Sequence, residues 1–185
     1  RGLGDVYKRQ AIRGLEEDMR LKIRELLENV EGKSEFNFVT EIAEQLPLWV
    51  LCEMMGIPES DRSKIRDLVN NLTDASIQQD PNNSFQIWVN YMELFKMGRD
   101  MIEERRKKPT DDLMSVVANT KVEGGDLPPE LLDGFFLLMV IAGNETTRNT
   151  LTGGLMALTE NPSEREKLLK DPSLIANATD ELSLI

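Results

Sequence analysis

The most apolar part of the chain is residues 135–142, which read Phe-Phe-Leu-Leu-Met-Val-Ile-Ala, and apolar residues at helical spacing resume at Leu151. This spacing predicts one long helix that is buried on more than one side. The residues between the two apolar stretches, 142–147, read Ala-Gly-Asn-Glu-Thr-Thr. They must therefore lie in the interior of that helix.

These six residues are poor choices for a buried helix. A glycine there costs about 1 kcal/mol relative to alanine, and an acidic side chain must be solvated or paired. Threonine hydroxyls compete for the carbonyl four residues back. We expect the Thr146 hydroxyl to bond the Ala142 carbonyl and to open the helix locally, as in kinks and bulges. Several broken rules in one place indicate a functional site.

A helical wheel places a stripe of mostly small residues on one face. Its members are Phe135, Met139, Ala142, Gly143, Thr146, Thr150, Gly153 and Ala157. Leu137, Ile141, Leu151 and Leu155 fall on the far side, where they can pack into protein. Asn144, Arg148 and Asn149 are expected at the surface or just behind the residues that would contact a ligand. The small stripe leaves room for a flat ligand.

A simpler interpretation of the same residues stays open. Small residues also occur where two helices cross closely. Glu145 could merely pair with Arg148, three residues on, for about 0.2–0.5 kcal/mol.

Composition excludes several function classes for this segment. The chain has no histidine and one cysteine, which excludes His-ligated zinc, Ser-His-Asp catalysis and an intrachain disulfide. Its formal net charge of −11 disfavours nonspecific binding to nucleic acid or anionic membranes. No apolar run is long enough to span a membrane. Cys52 lies among apolar residues and is expected to be a buried, inert thiol.

Periodicity and punctuation predict a succession of helices with few strands. The expected elements are a helix at 11–30, a short strand at 36–39, a helix at 40–55 interrupted by Pro47, a helix opened by Pro58, a helix from Ser84 to Lys108, a short helix capped by residues 110–112, a turn at 123–126 that joins two short strands, a long helix from Pro128 to Glu160, a helix from Asn161 to Lys170 and the beginning of another at 175–181.

The two ends read differently from the rest. Residues 1–10 and 182–185 match the in-frame translation of the two ends of a transposase-based sequencing adapter. We therefore expect both to be artefacts and residues 11–181 to be part of a domain encoded by a longer gene.

Five motifs together resemble the central part of a cytochrome P450 of the soluble bacterial type. They are Ala-Gly-Asn-Glu-Thr-Thr at 142–147, Leu-Pro-Leu at 46–48, Met-Met-Gly-Ile-Pro at 54–58, Thr-Asp-Asp-Leu at 110–113 and Asn-Pro at 161–162. The resemblance covers residues 11–181, from the family's D helix to the start of its K helix. It implies a mainly α fold, the central helical part of the cytochrome P450 fold, with a long I helix and only minor short strands.

The resemblance implies a fragment of a haem-thiolate monooxygenase, an oxidoreductase that activates dioxygen and hydroxylates a hydrophobic substrate. Ala142, Gly143 and Thr146 would bind the cofactor, haem b with its dioxygen. Thr146 and Glu145 would be catalytic, through a hydrogen bond and a proton relay of the kind typically worth about 10²–10⁴-fold in rate. Glu181 would be the structural glutamate of the K helix.

Substrate and partners are implied more loosely. The motif is similar to those of enzymes that act on sterol side chains, branched fatty chains or terpenoids, and Ile77, Phe85 and Ile87 could line the substrate roof or simply pack. Electrons would come from NAD(P)H through a ferredoxin or flavodoxin redox partner. No nucleic acid partner and no membrane segment are indicated, and a cytoplasmic location is expected.

The resemblance is incomplete. Nothing in the chain matches the family's cysteine loop, so no metal ligand is assigned and Cys52 is not promoted to that role. The arginine expected three residues after Glu181 is absent, because position 184 is leucine. The fragment itself is predicted to be inactive.

Two other functions compete with the monooxygenase. One is a catalytically inactive helical binding or scaffold protein derived from the same fold, whose full gene would lack the cysteine. The other is a di-iron carboxylate bundle, which is disfavoured because its Glu-x-x-His pairs require histidine.

Overall fold

The computed structural model describes residues 3–122 and 124–183, and it describes side chains from Gly14 onward except at Ala75. The chain divides into two compact units. One comprises residues 48–144, and the other comprises residues 1–47 together with 145–185. The fold is mainly α with one short hairpin, as predicted.

The helices and strands follow one another in this order: α1 (Leu3–Glu28), α2 (Gln45–Met55), α3 (Glu59–Thr73), α4 (Ala75–Gln78), α5 (Ser84–Lys107), α6 (Leu113–Asn119), β1 (Lys121–Val122), β2 (Gly125–Asp126), α7 (Pro129–Glu160), α8 (Pro162–Lys170) and α9 (Ile175–Leu182). A π-helix at Val39–Ala43 and 3₁₀ turns at Pro81–Asn83 and Pro172–Leu174 complete the list. The antiparallel hairpin pairs Lys121 with Asp126 and Val122 with Gly125. Gly124 turns it with φ +84°, and Glu123 lies outside the described residues.

The core of the unit formed by residues 48–144 is built from α2, α3, α5, α6 and the first half of α7. Its buried apolar residues are Leu48, Leu51, Cys52, Met55, Ile57, Ile65, Val69, Leu72, Leu94, Ile102, Met114, Ala118, Leu132, Phe136 and Val140. Helix α5 packs against both α3 and α6. The apolar periodicity of α3 predicted its buried residues, since Ile65, Val69 and Leu72 all lie in this core.

Helices α5 and α7 each bury a row of residues spaced by four. The rows are Asn90, Leu94, Gly98 and Ile102 in α5, and Leu132, Phe136, Val140 and Asn144 in α7. The two helices come close at Gly98, since a Cβ atom built there would lie 2.8 Å from Cγ of Phe136. Next to it, Arg99 forms a two-pronged ion pair with the buried carboxylate of Asp133, with Nε 2.9 Å from Oδ1. Rows of this spacing are the ridges by which helices interlock.

A buried carboxylate ties the end of α2 to the C-terminal turn of α5 and the start of α6. Asp112 caps α6 by accepting from the Ser115 amide at 2.6 Å, and it also accepts from Arg105 Nε at 2.6 Å. Arg105 in turn donates through Nη2 to the carbonyl of Gly56 at 2.9 Å. Burial tends to raise the pKa of Asp112, but the hydrogen bonds from Thr110, Ser115 and Arg105 outweigh it and hold that pKa below its ordinary value.

The second unit contains the largest difference from the predicted elements. The expected strand at 36–39 is wrong, since Phe36 and Asn37 lie in a loop and Val39 begins the π-helix. Oδ1 of Asn37 accepts from the amides of Val39 and Thr40, at 3.0 and 3.3 Å, and so favours a helix start. Two alternating phenylalanines gave a strand signal that this cap overrides.

Other boundaries in this unit agree more closely. The predicted interruption near Pro47 is confirmed, because the π-helix ends at Ala43 and α2 begins at Gln45, which places the proline in a first turn where no amide partner is needed. Helix α1 begins at Leu3 rather than at residue 11. Residues 1, 2, 184 and 185, which belong to the predicted adapter segments, lie outside the described part.

Gly56→Ala tests whether the packing around Asp112 requires glycine. Gly56 has φ +69°, and a Cβ atom there would lie 2.2 Å from Oδ2 of Asp112. Alanine is strained in this left-handed conformation, and its methyl group would crowd the Asp112 carboxylate. Together the two effects should reduce the free energy of unfolding by about 3 kcal/mol. Urea denaturation followed by circular dichroism measures it.

Gly32→Ala is the matched control, because Gly32 has φ +77° but nothing within 4 Å of a Cβ atom. It should show only the backbone strain, about 1 kcal/mol. Equal losses in the two variants would contradict the packing explanation.

Asp112→Asn should change how stability depends on pH. Because the folded-state pKa of Asp112 is lowered, its ionised form stabilises the fold above the ordinary aspartate pKa of about 3.9, and this contribution is lost as pH falls towards the folded value. The variant should be less stable than the parent at pH 6, and this difference in stability should narrow as the pH falls below the ordinary aspartate pKa. Asp18→Asn, at an exposed site on α1, is the control. A gap that is constant with pH would show that charge on Asp112 is not responsible.

Candidate functional site

The motif of residues 142–147 lies within α7, which is α-helical from Pro129 to Glu160. The predicted opening of the helix at Ala142 is therefore not present as a π or 3₁₀ turn. Ala142, Gly143, Thr146 and Thr147 are all exposed. The middle of the small stripe, at Ala142, Gly143 and Thr146, is thus accessible, whereas Phe135 and Met139 at its start pack against the core.

Backbone space at Gly143 is compatible with a ligand lying against the helix. A Cβ atom built there would touch only Cδ1 of Leu51, at an ordinary 3.5 Å. Packing within residues 48–144 therefore does not require a glycine at position 143. Glycine at this position leaves the backbone open on its exposed side.

Glu145 is half-buried and paired. Its Oε1 accepts from Nη2 of Arg148 at 3.1 Å, so the acid is paired within the helix. The pairing is the one that the simpler interpretation anticipated. It also orients the carboxylate without removing it from solvent, since the Glu145 side chain remains 35% exposed.

Threonine hydroxyls of α7 form hydrogen bonds to carbonyls of the same helix. Thr150, Thr152 and Thr159 donate to the carbonyl four residues back, at 3.0, 2.9 and 2.7 Å. These bonds are the local competition expected of threonine in a helix. The segment remains α-helical with these hydrogen bonds in place.

Asn144 is a correction to the helical-wheel analysis. It was expected near the surface, yet it is 1% exposed. The signal was available in the sequence, because Asn144 continues the row of Leu132, Phe136 and Val140 at a spacing of four. A polar residue that ends an apolar row is easily assigned to solvent when only polarity is weighed.

The far side of the wheel is partly confirmed. Leu137 and Ile141 pack against the core of residues 48–144. Leu155 does not pack as predicted, since it is 44% exposed and lines an apolar groove. That groove is formed by Phe38, Val39, Thr152, Leu155, Met156, Thr159 and Glu160.

Cys52 is the only cysteine of the chain and is completely buried. Burial raises the pKa of its thiol to about 11, with a smaller opposing effect from Arg62. A thiol in this state is neither a ready nucleophile nor a ready metal ligand. The prediction of a buried, inert cysteine is confirmed.

The remaining candidate residues are spread over other helices. Glu181 is exposed on α9. Ile87 packs against the core, whereas Phe85 is 73% exposed and stacks on Trp88 with ring centroids 6.1 Å apart. Ile77 is half-buried.

Residues of α7 fit one face of the haem that the resemblance implies. Ala142 and Gly143 are exposed and carry almost no side chain, so that a flat, apolar group could approach the helix closely. No residue of this chain could supply the thiolate ligand that the family implies, because its sole cysteine is buried in the core. The residues present therefore suit one face of such a cofactor and do not supply its thiolate ligand.

Known proteins similar to this chain are bacterial cytochromes P450. Cytochrome P450 126 of Mycobacterium tuberculosis is 36% identical over 176 residues, covering 92% of this chain and 42% of that protein. A steroid C26-monooxygenase of Rhodococcus jostii is 32% identical, covering 88% of this chain and 34% of its own length. No family model matches the chain.

A solved structure shows the same arrangement of helices. The Mycobacterium marinum cytochrome P450 in complex with pseudoionone superposes with a TM-score of 0.85 at 31% identity, covering 94% of this chain and 43% of that one. The chain thus spans about two fifths of the length of the proteins it matches. Within the described residues, no helix has the length and apolar character needed to cross a membrane.

Sequence similarity and fold agree over more than nine tenths of the chain. The chain belongs to the cytochrome P450 family and forms the central helical part of that fold.

Proposed function

We propose that this chain supplies the oxygen-activating helix of a haem-thiolate monooxygenase that hydroxylates a hydrophobic substrate. The observation that carries the proposal is the exposed stripe of α7, where Ala142 and Gly143 leave the helix open and Thr146 lies one turn further on. When bound, the haem supplies the iron chemistry by which dioxygen is reduced and cleaved. The chain supplies a close-fitting surface and a path for protons.

Each residue of the motif has a separate task. Ala142 and Gly143 admit the ligand to the backbone. Thr146 offers a hydroxyl that can both accept and donate a hydrogen bond at the exposed face. Glu145, held by Arg148 yet open to solvent, can pass a proton from water towards that hydroxyl.

The substrate class follows from the relatives. One similar protein is named for a steroid, and the similar solved structure contains pseudoionone. We infer a hydrophobic substrate such as a sterol side chain, a branched fatty chain or a terpenoid for the protein that carries this segment. Electrons would reach it from NAD(P)H through a ferredoxin or flavodoxin.

We propose that this 185-residue chain has no oxygenase activity by itself. Its single thiol is buried in the core and has a raised pKa, so a haem-thiolate bond would require unfolding around Cys52.

Gly143→Ala separates function from stability. A methyl group fits at Gly143 without a clash, and alanine is favoured over glycine in a helix by about 1 kcal/mol. The variant should unfold at the same or higher urea concentration. In a full-length cytochrome P450 that carries this segment, product formation should fall at least tenfold, because the methyl group occupies the face proposed to receive oxygen.

Gly134→Ala is the matched control on the same helix, exposed and with nothing within 4 Å of a Cβ atom. It should raise stability similarly and leave turnover unchanged. Full turnover in Gly143→Ala would overturn the assignment of this face.

Thr146→Ala tests the proton path. In the full-length holoenzyme, the ratio of product formed to NAD(P)H consumed should fall by about 10²-fold, with the missing electrons recovered as hydrogen peroxide or water. Stability should change little, since Thr146 is exposed. The measurement is parallel quantification of NAD(P)H, peroxide and hydroxylated product.

Thr159→Ala controls for loss of a helical threonine hydroxyl, because Thr159 is exposed on α7 and donates to the carbonyl four residues back. Normal coupling of NAD(P)H consumption to product formation in Thr146→Ala would contradict the proposed role of Thr146.

This chain, mixed with haem, reductant and carbon monoxide, should lack the Soret shift typical of thiolate ligation. A full-length protein that also lacks this shift would favour the inactive scaffold.

A further inference from the structure

Exposure to solvent separates two methionines from the others. The chain has nine methionines, and the structure describes the side chains of all of them. Met156 on α7 is 59% exposed and Met92 on α5 is 40% exposed, whereas Met55 and Met114 are completely buried. The remaining five are half-buried. An oxidant dissolved in water therefore has more access to Met156 than to the other methionine side chains of this chain.

Met156 also lines the apolar groove of the second unit. Phe38 and Val39 line this groove from the start of the π-helix, and side chains between Thr152 and Glu160 line it from α7. A thioether is apolar and flexible, so it suits such a groove without needing a hydrogen bond there.

The polar side chains that line the groove leave no donor for a new acceptor. The hydroxyls of Thr152 and Thr159 already donate to carbonyls four residues back on α7, at 2.9 and 2.7 Å. The ionised carboxylate of Glu160 can only accept. Among these groove-lining side chains, an oxygen atom added to Met156 would find no donor and would have to bond to water.

We propose that Met156 is the methionine of this chain that hydrogen peroxide oxidises first, and that its sulfoxide turns out of the groove. In this reaction a sulfur lone pair attacks one oxygen of peroxide, so that an S–O bond forms and the O–O bond breaks. The departing hydroxide takes the proton of the transferred oxygen and leaves as water. Sulfur loses two electrons and peroxide gains them.

The chemistry of the product explains why the side chain moves. A sulfoxide is polar, whereas a thioether is not, and methionine sulfoxide reductases convert one back to the other. An acceptor held against apolar side chains without a hydrogen bond is unfavourable. The oxidised side chain therefore turns towards water, and Phe38 and Leu155 lose an apolar neighbour. The groove is thus open to reversible chemical control.

Peroxide would be formed on the same helix if the proposed function holds, because failed proton transfer at Thr146 releases it. Met156 lies ten residues beyond Thr146, about 15 Å along the helix axis. This source of peroxide rests on the proposed function. The oxidation site itself does not, because added peroxide reacts with the same sulfur, so its failure would leave the proposed function untouched.

Peptide mapping by mass spectrometry ranks the methionines by rate. The 185-residue chain is treated with hydrogen peroxide under native conditions and sampled over time. Met156 should be oxidised first and Met92 next. Met55 and Met114 should react at least about tenfold more slowly than Met156, because a buried thioether is reached only when the fold opens locally. Oxidation of Met156 no faster than that of Met92 would overturn the proposal.

Methyl nuclear magnetic resonance of the folded chain tests the movement. After oxidation, the methyl signals of Val39 and Leu155 should shift, because both residues line the groove with Met156. Treatment with methionine sulfoxide reductases should reverse the shifts. Val116, which is exposed on α6 and lies outside the groove, is the reference whose signals should not move.

Met156→Leu is the matched control variant, because leucine is apolar and of similar volume but has no sulfur. Peroxide should still oxidise Met92 in this variant and should leave the Val39 and Leu155 signals unchanged. Shifts of these signals in Met156→Leu, or their absence in the parent chain once Met156 is oxidised, would contradict the proposal.

Discussion

Close packing of Gly98 against Phe136 sets the position of α7 on which the candidate site depends. Because glycine has no Cβ atom, the α5 backbone can approach the phenylalanine ring, and a methyl group there would be too close at 2.8 Å. The adjacent pair of Arg99 and Asp133 fixes the same register with charge-assisted hydrogen bonds. From this contact outwards, Leu94 and Val140 are buried, and Ala142 and Gly143 are left on the open side of α7.

The helix thereby meets two opposite requirements. One row must be bulky and buried to bind α7 to the core, and the proposed function requires another row to be small and open to a flat cofactor. The sequence meets them with residues at different angles on one helix. The glycine and threonines that lower intrinsic helix propensity in the motif are tolerated because the buried row secures the helix by packing.

The order of helices could be predicted because local signals carried it. Pro58, Asp112 and Pro129 mark helix starts, and the spacing of Ile65, Val69 and Leu72 identifies a buried face. The strand expected at 36–39 failed because alternation over four residues is weaker evidence than an asparagine cap. The exposure of Leu155 was missed because the wheel assigns faces relative to a helix axis and cannot say which faces are covered.

The sequence by itself determined the long helix, the motif at 142–147 and the lack of an available thiolate, because each follows from residue type and spacing along one element. Only the tertiary structure decided that Asp112 joins Arg105 and Gly56, and that the middle of the small stripe is open. Those properties depend on the register between helices. That register is set by contacts such as Gly98 with Phe136, which lie 38 residues apart in the sequence and leave no periodic trace in it.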